Sequence, residues 1–170
     1  MKKAPLISLY SESLLKLMLM ESQACIYLEG MVTLSTGPSV QRYMMRMKFE
    51  IEDHHDPIIQ LLQGADPVVW KCADRIESEL AHTIAVLIDA INLSRLSNRE
   101  LILAAVRLQA YILSEYQRVI ALAQFLGVTN HVGRLKKICR AKRTTRTALI
   151  AWQRAHVAGS PTYQQLAKAV

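Results

Sequence analysis

Glu52-Asp53-His54-His55 is the sharpest chemical signal in the sequence. Glu52 and His55 stand three apart and share one face of a helix, where helical bundles use a Glu-x-x-His pair to hold one iron or manganese of a di-metal site. Glu79-Leu80-Ala81-His82 repeats the spacing. The pattern is short and arises by chance, so a solvated acidic-histidine patch is the competing reading of the first copy. The second copy is expected in solvent, because Leu80, Ile84 and Leu87 already define the apolar face of its helix. A di-metal centre also needs a carboxylate from each of two other helices and a second Glu-x-x-His pair. Glu21, Glu50 and Glu115 are available as further acids, but the chain after Glu115 contains no Asp or Glu. A symmetric di-iron centre therefore cannot be completed. An asymmetric iron or manganese site from Glu21, Glu50 or Glu52, His55 and Glu115 is the alternative.

The acid-free end is instead basic. Met1–Glu115 carries eleven Lys and Arg against fourteen acids, and the remainder carries ten Lys and Arg, so the net +7 divides into −3 and +10. Leu135, Ile138, Thr145, Leu149 and Trp152 form an apolar stripe along this segment, and Lys142 falls in line with it. Arg146 lies one turn on and is read with Lys142 as a second cation standing where a metal-binding bundle would need acids. An inward Lys142 would neutralise Glu21 or Glu50, since a buried carboxylate needs a partner; the other reading has Lys142 snorkelling to water. Arg134, Lys136, Lys137, Arg140, Arg143 and Arg154 make an outward basic face. It suits an acidic partner protein, an anionic membrane surface or the phosphates of a nucleic acid. It suits equally a solvated face paired with the chain's own acids or a second subunit. No helix-turn-helix and no interleaved exposed aromatics mark a nucleic-acid reader.

These side chains are presented by helices. Half of the 170 residues are hydrophobic, with six Gly and five Pro, which is a globular composition that favours helix. Cys25, Cys72 and Cys139 are too few and too scattered for a disulfide framework or zinc site and read as reduced thiols of a cytoplasmic protein. No uncharged apolar run is long enough to span a membrane. Met18, Met20, Met44, Met45 and Met47 recur at helical spacing and read as core filler, not a soft-metal or haem site.

Helical spacing predicts a first helix over 7–34, stopped at Thr36-Gly37-Pro38, and a second with Val40, Tyr43, Met44, Met47 and Ile51 on one face. Asp56-Pro57 either caps a new short helix or kinks a continuous one. Gly64-Ala65-Asp66-Pro67 opens a middle helix, Ser97-Asn98-Arg99-Glu100 has capping-box spacing before a helix that Gly127 ends, and a last helix follows over 130–157. Two helical pairs joined by a crossover helix suit an all-α, ferritin-like four-helix bundle with one additional middle helix. The expected domain is 1–158, with a short tail over 159–170.

Lys71-Cys72, Leu101-Ile102-Leu103-Ala104-Ala105, Tyr111, Tyr116 and Leu122-Ala123-Gln124-Phe125-Leu126-Gly127, in this order of elements, resemble the ferritin-like stress-protein family of the YciE/YciF type. The resemblance covers most of the chain through core and turn positions, and implies a ferritin-like fold, a role in stress response and an inherited di-metal site. Glu21 matches that family's first acid, and Glu50 lies near its acidic pair. Its histidine position falls on Glu52, its next acids fall on Gln109 and Ile112, and its acid-rich last segment is here Ala141-Lys142-Arg143-Thr144-Thr145-Arg146. The expectation is a non-catalytic bundle, without cofactor, that has lost its di-metal site. It would self-associate, most simply as a dimer, and use its basic last-helix face to bind an acidic partner. The alternatives are a metal-binding stress protein and a nucleic-acid-associated protein.

Overall fold

The computed structural model of the protein describes residues 3–63, 67–88, 90 and 95–158, and is helical throughout these, with no strand among them. Helix α1 spans Lys3–Leu34 and α2 spans Pro38–Leu62. A 3₁₀ turn over Pro67–Cys72 leads into α3, Ala73–Leu87; α4, Asn98–Leu126, and α5, Thr129–Ala158, complete the chain. The turn expected at residues 64–66 and the tail over 159–170 lie outside the described residues.

Most boundaries follow from their local chemistry. Pro38 stands at the start of α2, where its missing N–H costs no helical hydrogen bond. The helix continues through Pro57, so Asp56 caps no new segment. Ser97 and Glu100 form a reciprocal capping box at the start of α4: the Ser97 hydroxyl accepts from the Glu100 amide, and the Glu100 carboxylate accepts from the Ser97 amide at 2.8 Å. Gly127 ends α4 at φ 75°, a left-handed conformation that a side chain would strain. The middle helix begins later than the apolar stripe predicts, because Pro67–Cys72 coils as 3₁₀ before α3.

Asn98 sets the direction of the bundle. Its side-chain oxygen accepts from the Thr36 amide, and its amide nitrogen donates to the Thr36 hydroxyl, both at 3.0 Å. Gly37 makes room for this clamp, since a Cβ there would sit 2.9 Å from Asn98 Nδ2. The starts of α2 and α4 therefore share one end, and these helices run the same way, with α3 carrying the chain back between them. Helix α1 packs on α2, α3 and α4, and α4 packs on α5, while α2 and α5 touch sparsely.

The core is one apolar cluster that includes Leu14, Leu17, Met20, Met44, Met47, Ile51, Ile112, Leu135 and Leu149. Met18, Met20, Met44 and Met47 lie in it, and Met45 is half-buried, so the methionines fill volume, as their flexible side chains suit. Cys139 is buried and Cys25 and Cys72 half-buried, all three as free thiols. No helix among the described residues is long and apolar enough to cross a membrane.

Candidate functional site

At mid-bundle four helices turn polar side chains inward: Glu21 from α1, Glu50 from α2, Gln109 and Tyr116 from α4, and Lys142 and Thr145 from α5. Glu21 and Lys142 are each 0% exposed, and Lys142 Nζ lies 2.7 Å from Glu21 Oε1. The Tyr116 hydroxyl donates to the same oxygen at 2.7 Å, and the Lys142 ammonium sits 5.7 Å from the centroid of the Tyr116 ring, within cation–π range. Burial pushes the Glu21 carboxyl up, while Lys142 and then Tyr116 pull it down. The Tyr116 phenol is held well above its usual range, first by burial and then by Glu21. The arrangement fits an ammonium–carboxylate pair steadied by a phenol.

Beside it the Thr145 hydroxyl donates to Glu50 Oε2. Glu21 Oε2, Glu50 Oε1 and both amide atoms of Gln109 have no partner, and the Lys142 ammonium meets Glu21 at ion-pair distance without a well-aligned acceptor. Such unpartnered buried atoms are sparse in native cores, so their concentration here sets this cluster apart from the rest of the core.

A family model described as Domain of unknown function (DUF892) matches residues 6–159, a span that contains every residue of this cluster. The chain belongs to the DUF892 family. No curated protein and no solved structure matches it.

In this DUF892 chain the other predicted metal ligands do not converge. Glu52 points to solvent, 3.5 Å from Lys48, which corrects the Glu52/His55 reading: one turn of α2 puts Glu52 outside and leaves only half-buried His55 near enough to bias Glu21. Glu115 turns to the bundle edge, with its Oε1 3.2 Å from Lys16 and its Oε2 2.7 Å from Arg118. Glu79 and His82 are exposed, as their helix face predicts. Among the described residues no group of three or more His, Cys, Asp or Glu is arranged to hold a metal. The decisive misfit is chemical. The Lys142 ammonium lies against a Glu21 oxygen that a metal would need, and its positive charge would repel a metal cation there.

Lys142 and Arg146 do not act together, contrary to their pairing in sequence. Lys142 enters the core, whereas half-buried Arg146 lines a groove between α4 and α5 beside Ser114 and Gln117. One turn of α5 rotates it past the bundle centre. Arg134, Lys136, Lys137, Arg140, Arg143 and Arg154 are all exposed. None of the six is in an ion pair among the described residues, although Arg134 donates to Gln60 Oε1 at 3.2 Å.

Three contributors escaped the sequence reading. Tyr116 reads there as a core position, although a buried tyrosine hydroxyl generally needs a partner. Thr145 reads as part of an apolar stripe. His54, not His55, lines the open groove between α2 and α5, and burial pushes its pKa down to about 4 with its Nδ1 unpartnered.

Proposed function

We propose that this chain is a non-catalytic ferritin-like bundle in which a buried ammonium has taken the place of a di-metal centre, and that it works through its surfaces. The helix directions support the ferritin-like assignment: two antiparallel pairs with α2 and α4 running the same way across a crossover segment. The observation that carries the reading is Lys142 Nζ at 2.7 Å from Glu21 Oε1 in a fully buried core. Elemental analysis of the purified full chain tests it. Iron or manganese at one or more equivalents per chain, retained through gel filtration, overturns it.

The surface role has two parts. The six exposed α5 cations form a face for an acidic partner, and the absence of ion pairs on them among the described residues favours that role over a self-neutralised surface. Self-association uses the outer face of α2, where Arg42, Met45, Arg46, Phe49 and Asp53 share one helical face along the α2/α5 groove, with Phe49 53% exposed. A two-fold pairing of antiparallel α2 helices sets Arg42 opposite Asp53 of a second copy and Arg46 opposite Phe49, which is self-complementary. Sedimentation equilibrium checks this: a dimer that Phe49→Glu converts to monomer supports it, and a monomeric parent protein excludes it.

A further inference from the structure

We infer that the α4/α5 groove is a phosphate-binding site built on Arg143 and Arg146, for a ligand carrying more than one phosphate group. The inference deepens the reading of the basic face as a partner surface and rests on it.

The groove has a volume of about 440 Å³ and is lined by Ala110, Leu113, Ser114, Gln117, Arg143, Arg146 and Thr147, with no acid among them. Arg146 is half-buried, and its Nε is cut off from water without gaining an acceptor. Neither guanidinium is in an ion pair or any other hydrogen bond among the described residues. Two unneutralised guanidiniums in one groove repel each other unless an anion bridges them, and the planar fork of an arginine matches a phosphate oxyanion in two contacts. The α4 wall adds the neutral amide of Gln117, while the Ser114 hydroxyl already donates to the Tyr111 carbonyl at 2.7 Å.

The multiplicity of phosphates follows from the neighbouring groove. It is lined by Gln117, Ile120, Lys136, Cys139, Arg140 and Arg143, again without an acid, and shares Gln117 and Arg143 with the first. Lys136, Arg140, Arg143 and Arg146 thus form a continuous track of about 15 Å along α5 at 1.5 Å per residue. A single phosphate would satisfy one end and leave the other cations unpaired.

Calorimetric titration of the full chain at low ionic strength with inorganic phosphate, tripolyphosphate and a single-stranded oligodeoxynucleotide tests the inference. Tripolyphosphate should bind with one-to-one stoichiometry and about tenfold more tightly than phosphate, as expected when a second charge-assisted contact forms. Arg143→Gln and Arg146→Gln should each weaken it about tenfold, whereas Lys71→Gln, at an exposed cation of the 3₁₀ turn before α3 and outside the groove, should leave it unchanged. An oligonucleotide that competes identifies a nucleic-acid backbone as the phosphate source; one that does not assigns the site to a free oligophosphate. Equal weakening by Lys71→Gln overturns the groove, since the loss of any surface cation would then have the same effect. Absence of tripolyphosphate binding, with an acidic polypeptide still bound, likewise overturns the groove alone.

Discussion

Lys142 of α5 and Glu21 of α1 meet at 2.7 Å with both side chains removed from solvent, and Tyr116 closes the pair from α4. Desolvating two charges costs several kcal/mol per ion, which their attraction recovers only while both are present. Lys142→Met should therefore destabilise the fold by about 3–5 kcal/mol, because it leaves Glu21 buried with only a phenol. Glu21→Leu combined with Lys142→Met should cost less than Lys142→Met alone. Urea unfolding of the parent, both single variants and the double variant measures the coupling. Additive losses would mean that the two charges do not stabilise each other.

His54 makes part of the stability pH-dependent. Its pKa falls to about 4 in the folded protein, chiefly through burial and then the Lys142 charge, from an unfolded value near 6.5. The unfolded chain then takes up a proton on this ring at a higher pH than the folded one. The contribution is complete above about pH 6.5 and is lost as pH falls toward 4. Allowing for the solvent that reaches the ring, the loss is about 1–2 kcal/mol. Buried Glu21 titrates with the opposite sign, so the readout is the difference between the parent and His54→Gln across this window. A difference that stays flat would remove His54 from the account.

The turn after α4 isolates a backbone effect. Gly127 sits at φ 75°, and a Cβ there would meet nothing within 4 Å, so Gly127→Ala changes conformational strain without a clash. It should cost about 1–2 kcal/mol, and Gly127→Asn less, since asparagine tolerates the left-handed region. Gly37→Ala provides the contrast, because its Cβ would displace the Asn98 side chain and loosen the α2/α4 clamp. Thermal unfolding of the three variants separates strain from lost contact.

These elements also show what was legible in the sequence. Caps and turns are local, so the Ser97/Glu100 box and the Gly127 stop are visible as residue spacing. The place of Lys142 in the apolar stripe of Leu135, Ile138 and Leu149 is legible as well, but the stripe alone leaves open whether its ammonium enters the core or snorkels to water, and only the packing against Glu21 decides it. The partners that define the cluster are not legible in this way. Tyr116 meets Glu21 and Thr145 meets Glu50 only through helix rotation and packing, and a two-residue difference along α2 decides between Glu50 and Glu52. Arg146 failed for the same reason: a four-residue step on a helix advances it past a full turn and into the α4/α5 groove.

Gln109 offers the sharpest test of whether the polar cluster leaves buried groups unsatisfied. It is fully buried, and neither its oxygen nor its nitrogen has a partner. An unsatisfied buried polar group costs about 1–3 kcal/mol, and a leucine of similar volume removes that cost while adding apolar contact with the surrounding Leu, Ile and Met side chains. Gln109→Leu should therefore raise the midpoint of urea unfolding by the equivalent of about 1 kcal/mol with an unchanged slope. Gln109→Glu should do the reverse, since it puts a carboxylate at a fully buried position that offers it no partner. If Gln109→Leu instead destabilises, the amide is hydrogen-bonded through a trapped water. In that case the polar cluster is a satisfied network.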